Sequence, residues 1–148
     1  MSDSSATTTA HFSFTGYHIS ETRLKLERGE TSGTFQLSID PLGRLMREKK
    51  KLEITLDVSV SDTLKTTDLF FRITGFFTYE TEDFEELKQY VCINGPAILF
   101  PYIRAYATNI TALSGGSPVV MPTLNMQPIG QRLLDSMSEQ FSSDSKAE

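Results

Sequence analysis

The chain has one cysteine, no tryptophan, two histidines and no excess of basic residues. Each scarcity excludes something. Cys92 alone makes no intramolecular disulfide, so folding does not depend on an oxidising compartment. His11 and His18 stand near the amino end with no nucleophile beside them, and no set of Cys and His has metal-ligand spacing. No glycine loop precedes a Lys-Ser or Lys-Thr pair, which removes the usual phosphate cradle. A net charge of −5 argues against nucleic-acid binding, which releases counterions from a basic face. No stretch approaches the roughly 18 apolar residues of a membrane span. Residues 1–10 are polar and lack the basic start and apolar run of a secretory signal. The expectation is a cytoplasmic binding protein, not an enzyme, with no cofactor, no metal and no direct membrane insertion.

What is present points to one α+β domain over residues 11–141, between a disordered tail at 1–10 and a polar tail at 142–148. Phe12, Phe14, Tyr17, Ile19, Leu24 and Leu26 mark a long strand whose phase slips at Gly16, a bulge signal. Phe35, Leu37 and Ile39 alternate, and Asp40-Pro41-Leu42-Gly43 is expected to end that strand. Leu52, Ile54, Leu56, Val58 and Val60 alternate with polar residues, as in an antiparallel strand with one wet face. Leu69, Phe71, Ile73, Phe77 and Tyr79 form a fourth strand, with Phe70 and Phe76 on its other side. The run Arg44, Arg47, Lys49, Lys50, Lys51 reads as a solvated turn.

From Thr81 the period changes. Thr81-Glu82-Asp83 caps a short helix with apolar Phe84, Leu87, Tyr90 and Val91, where the acids suit the helix start. Cys92, between Val91 and Ile93, reads as a small buried hydrophobe. Asn94-Gly95-Pro96 is expected to interrupt, and Pro101 to force a kink or irregular turn after Phe100. The helix continues to about Leu113, where Ser114-Gly115-Gly116-Ser117 stops it with a left-handed glycine. Asn109-Ile110-Thr111 matches a glycosylation sequon on this helix and reads as chance. After a Pro-, Val- and Met-bearing loop, Ile129, Leu133, Leu134, Met137 and Phe141 mark a last helix beginning near Pro128. Apolar side chains in the loop, with Phe70 and Phe76, suggest contact with a copy of the chain or with an unfolded client.

Leu99-Phe100-Pro101-Tyr102-Ile103-Arg104, followed by Pro122-Thr123-Leu124-Asn125-Met126-Gln127-Pro128, resembles the signature of the SecB export-chaperone family. The resemblance is specific over about residues 90–134. It implies a four-stranded antiparallel sheet with two helices on one face, assembled as a homotetramer or a dimer. The long helix would be 84–113, the crossover loop 114–127 and the last helix 128–141. A hydrophobic groove for unfolded preproteins would draw on Phe76, Phe77, Val119, Val120, Met121, Leu124, Met126, Leu133, Leu134, Met137 and Phe141. Ile98, Leu99, Tyr102, Ile103 and Tyr106 would form the oligomer interface. Family members present carboxylates on the sheet to dock the SecA motor; here Glu21, Lys25 and Arg72 occupy that region. The expected function is ATP-independent holding of preproteins for Sec export. The alternative is a SecB-like chaperone dedicated to one client, such as an antitoxin, and a third reading is a dimerisation module without a client.

Overall fold

A computed structural model describes residues 11–29 and 34–142, so the expected tails, apart from Ser142, lie outside the described residues. Four strands, β1 (Phe12–Leu26), β2 (Phe35–Met46), β3 (Lys51–Asp62) and β4 (Thr67–Tyr79), form one antiparallel sheet in the order β1-β4-β3-β2. The alternating apolar residues of β3 and β4 point to one face and are almost wholly buried there. Phe70 and Phe76 lie half-buried on the opposite face. β1 bulges at Gly16, as its phase slip predicts, and again between Ile19 and Glu21. The second bulge returns Leu24 to the inner face, opposite Leu69. Its signal was the odd spacing from Ile19 to Leu24.

Asp40-Pro41-Leu42-Gly43 does not end β2, which continues to Met46. The backbones of Ile39, Gly43 and Leu45 bond to side chains rather than to β3, so the odd-numbered residues turn their polar groups outward. Pro41 belongs to this set by alternation. Its missing N–H removes no ladder bond, which is why an edge strand tolerates it. Gly43 has a packing role: a β-carbon there would collide with Met137 Sδ. The basic turn after β2 is also less free than a solvated run. Lys50 Nζ reaches Glu82 Oε2 at 2.6 Å and Glu80 O at 3.1 Å, and Arg47 stacks over Phe84 at 4.5 Å.

The helical half starts as its capping residues indicate. Asp83 accepts the Glu85 N–H at 2.9 Å and opens α1 (Phe84–Gln89). The expected break at Asn94-Gly95-Pro96 is absent. A π-helical turn (Tyr90–Asn94) joins α1 to α2 (Gly95–Leu113), with Asn94 and Gly95 in helical conformation and the Gly95 N–H bonded to Tyr90 O. The wide turn thus absorbs the irregularity before Pro96, where a proline in the first turn forfeits little. Gly95 also lets the helix approach β3, since a β-carbon would meet Ile54 Cδ1. Pro101 lies inside α2 on its exposed side, with no irregular turn after Phe100. α2 ends in a Schellman arrangement: Gly116 N–H bonds Thr111 O at 3.1 Å, Gly115 N–H bonds Ala112 O at 3.2 Å, and Gly115 has φ +90°.

The last helical stretch is split into α3 (Gln127–Ser136) and a 3₁₀ turn (Ser138–Phe141) rather than one helix over 128–141. α2 covers β3 and β4 while α3 covers β2, so both lie on the inner face. α3 crosses the π turn closely at Gly130, where a β-carbon would strike the Cys92 carbonyl. Cys92 itself is half-buried rather than core, with Sγ 3.8 Å from Gln131 Oε1. No helix among the described residues is long and apolar enough to cross a membrane.

Candidate functional site

The crossover segment after α2 is held by two threonines one helical turn apart. Thr111 Oγ1, fully buried, accepts the Val119 N–H at 2.9 Å and donates to Ala107 O at 2.7 Å. Thr108 Oγ1 donates to Val119 O at 2.6 Å. Both backbone groups of Val119 are therefore bonded to α2, and its side chain is driven to 0% exposure. In an extended chain the next side chain faces the other way. Val120 is accordingly 72% exposed, and Met121 returns to 5%. A looser contact holds the segment further along: Arg104 Nη2 donates to Thr123 Oγ1 at 3.4 Å, with the guanidinium 5.0 Å over the Phe100 ring. Arg104 Nε is buried without a hydrogen-bond partner. Asn125 then accepts the Gln127 N–H at 3.1 Å at the start of α3.

The expected groove residues divide sharply in accessibility. Phe77, Val119, Met121, Met126, Leu133, Met137 and Phe141 are packed in the core of the chain. Leu124 and Leu134 are half-buried, and Val120 is open to solvent. Phe76 is not brought to the crossover segment: it sits on the outer face of the sheet, its ring 5.3 Å from His18. Of the expected interface on the long helix, Leu99 and Ile103 are wholly buried against the sheet, while Ile98 and Tyr106 are half-buried. A β-carbon on Gly75 would meet the Leu99 side chain. Tyr102 is 38% exposed and lies 4.7 Å from Tyr17, itself 43% exposed, on β1, an outermost strand of the described sheet. Tyr106 donates to or accepts from Thr22 Oγ1 at 2.7 Å.

On the outer face, Arg72 makes a bidentate pair with Asp57, Nε–Oδ1 at 2.7 Å and Nη2–Oδ2 at 2.9 Å. That hydrogen bond and charge push the Arg72 pKa above its ordinary value. Glu21 stands 3.5 Å from Arg72 and 3.3 Å from Arg23, and Lys25 is 3.7 Å from Glu27. The region is thus a lattice of compensated charges. By register the outward positions carry Glu21, Asp40, Glu53, Asp57 and Asp68 against Arg23, Lys25, Arg44, Lys51 and Arg72. Among the described residues there is no group of His, Cys, Asp or Glu arranged to hold a metal ion.

Residue patterns passed over Thr108 and Thr111. Their signal was a pair of hydroxyls at i, i+3 on the helix preceding a loop, half hidden by the sequon reading of Thr111.

Residues 21–134 match the SecB family, described as preprotein translocase subunit SecB. An uncharacterised protein of Methanocaldococcus jannaschii, MJ0357, is 40% identical over 58 residues, 39% of this chain and 37% of that protein. The protein-export protein SecB of Ehrlichia canis is 31% identical over 86 residues, 51% of this chain and 49% of that one. The chain thus spans about half, or less, of the length of the curated relatives it matches. Among solved structures, a SecB-like chaperone of Mycobacterium tuberculosis, in complex with a peptide from the HigA1 antitoxin, shares the fold. Its TM-score is 0.66 at 18% identity, over 78% of this chain and 88% of that one.

Proposed function

The chain belongs to the SecB family, and from that membership we propose that it is an ATP-independent chaperone of the cytoplasm, holding unfolded preproteins on apolar surface for Sec export. The observation that supports this reading is the clamp on Val119. It presents Val120 to solvent at a fixed place on the crossover segment, while Met121 and Met126 lie just beneath. Val120, Leu124 and Leu134 form the accessible client contact. The buried members of the expected groove join only where the segment lifts from α2, and flexible Met side chains there suit varied sequences.

Holding needs more than one such contact. A client segment burying ~400 Å² of apolar surface gains roughly 10 kcal/mol. Ordering about eight of its residues costs approximately 8–16 kcal/mol. Linked contacts on one oligomer raise affinity by ~10²–10⁴. Such holding calls for a tetramer, or at least a dimer, joined through the outer edge of β1 and the exposed Tyr17 and Tyr102. Light scattering beside an aggregation assay tests both claims. We expect about four times, or about twice, the 16.6 kDa chain mass, with suppression of aggregation in the absence of nucleotide. A monomer without suppression overturns the reading.

The sheet's outer face supports a second reading. Its compensated charges, with Arg72 tied to Asp57, give an acidic-docking motor little net field to follow. A chaperone dedicated to one client, as the M. tuberculosis protein is seen with an antitoxin peptide, needs no such docking. Titration with SecA separates the two: tight, salt-sensitive binding supports export, and its absence together with strong preference for one client supports dedication.

A further inference from the structure

The outward-facing backbone of β2 is occupied at successive pairing positions. Arg132 Nη1 donates to Ile39 O at 3.1 Å, held there by an Nη2 bond to Asp40 Oδ1 at 3.0 Å. Pro41 offers no donor. Gln140 Nε2 donates to Gly43 O at 3.0 Å, and its Oε1 accepts the Leu45 N–H at 2.7 Å. An antiparallel strand added here would seek both backbone groups of residues 39, 41, 43 and 45. Each has already lost one. The Gln140 amide acts as a one-residue strand, matching a donor and an acceptor on the edge as a neighbouring peptide group would. Among the described residues, no side chain bonds the backbone along the outer edge of β1.

Sheet edges left unpaired are templates for another chain. With both edges open, β1 of one copy fits β2 of the next. That contact is heterologous and builds rings or open filaments beyond two copies, whereas β1 against β1 is isologous and stops at two. We propose that Arg132 and Gln140 lock the β2 edge against the β1 edge of a second copy, making strand-mediated assembly one-sided and closed. This holds whatever client the protein carries.

The test is the double variant Arg132→Met/Gln140→Met, which keeps the side-chain stems and removes the edge bonds, followed by light scattering across a dilution series. The expected result is a mass that climbs with concentration beyond the wild-type plateau, with filaments by electron microscopy and faster hydrogen exchange at the Leu45 amide. Should the double variant lose its β-sheet circular dichroism, Gln140→Met alone carries the same test. Faster Leu45 exchange with the wild-type mass retained overturns the proposal. So does unchanged Leu45 exchange, because the edge is then held by something other than Gln140.

Discussion

Replacing Thr111 by valine keeps the shape of a buried β-branched side chain and deletes one hydroxyl. In the native chain that hydroxyl is the acceptor for the Val119 N–H, at 2.9 Å, in a site with no exposure. The variant leaves a buried donor without a partner, a loss of about 1–3 kcal/mol. The Thr111–Ala107 bond is lost too, but the Ala107 carbonyl lies within α2 and keeps the helical N–H donor four residues on, so most of the penalty falls on Val119. At a urea slope of about 1–3 kcal/mol per M, the midpoint falls by very roughly 1 M. If the loss is local, the open population of the crossover segment rises roughly 5- to 150-fold. Urea unfolding followed by circular dichroism, beside hydrogen exchange at Val119, measures both. Thr108→Val is the internal comparison: it removes a donor from a carbonyl, and an under-bonded C=O is the better tolerated defect, so a smaller loss is expected. Equal stability of Thr111→Val and wild type, with Val119 exchange unaltered, would refute the clamp.

Gly130→Ala drives a β-carbon into the Cys92 backbone carbonyl, which cannot swing aside as a side chain does. A destabilisation of at least about 1–3 kcal/mol is expected in thermal or urea melts, and a neutral outcome would show that α3 does not seat on the π turn. Val120→Ser with Leu124→Ser should weaken client binding at unchanged thermal midpoint, whereas Met121→Ser should lower the midpoint first, since Met121 is 5% exposed. Cys92 is pushed up from the ordinary thiol pKa by desolvation and then by Asp135. Alkylation near pH 8 should therefore be slower than for a free thiol and accelerate as pH rises; a rate matching free cysteine would contradict the packing around it. Glu82 is held below the usual carboxylate range by its hydrogen bond to Lys50 and then by the Lys50 charge. A lowered carboxylate pKa gives stability above the unfolded pKa that is lost as pH falls through the folded one. Glu82→Gln should flatten the acid side of the stability profile slightly, and an identical profile would mean the exposed pair contributes nothing measurable.

Much of the fold was legible in the residues because burial on one face writes a period into the sequence. Leu52 to Val60 alternate strictly, and all five are buried with their partners on β4. Gly16 marked a bulge, Thr81 to Asp83 a helix start, and Ser114 to Ser117 a helix stop. Each is a local conformational requirement that only certain side chains meet. The combination of Leu99 to Arg104 with Pro122 to Pro128 was sufficient to indicate the family.

Tertiary structure decided the rest wherever a local rule met a non-local exception. Pro41 signals a turn in isolation, but at the edge of a sheet its missing donor costs no bond, so β2 runs on. Asn94-Gly95-Pro96 signals a break, but close packing of Gly95 on Ile54 and of Gly130 on Cys92 holds the chain helical through a widened turn. Accessibility was the least legible property. Val119, Val120 and Met121 are all apolar and adjacent, and composition ranks them together. Only two hydroxyls reaching from α2 determine that the first and third are buried and the second meets solvent. Sequence periodicity records which face of an element is apolar; what covers that face depends on contacts between residues distant in the chain.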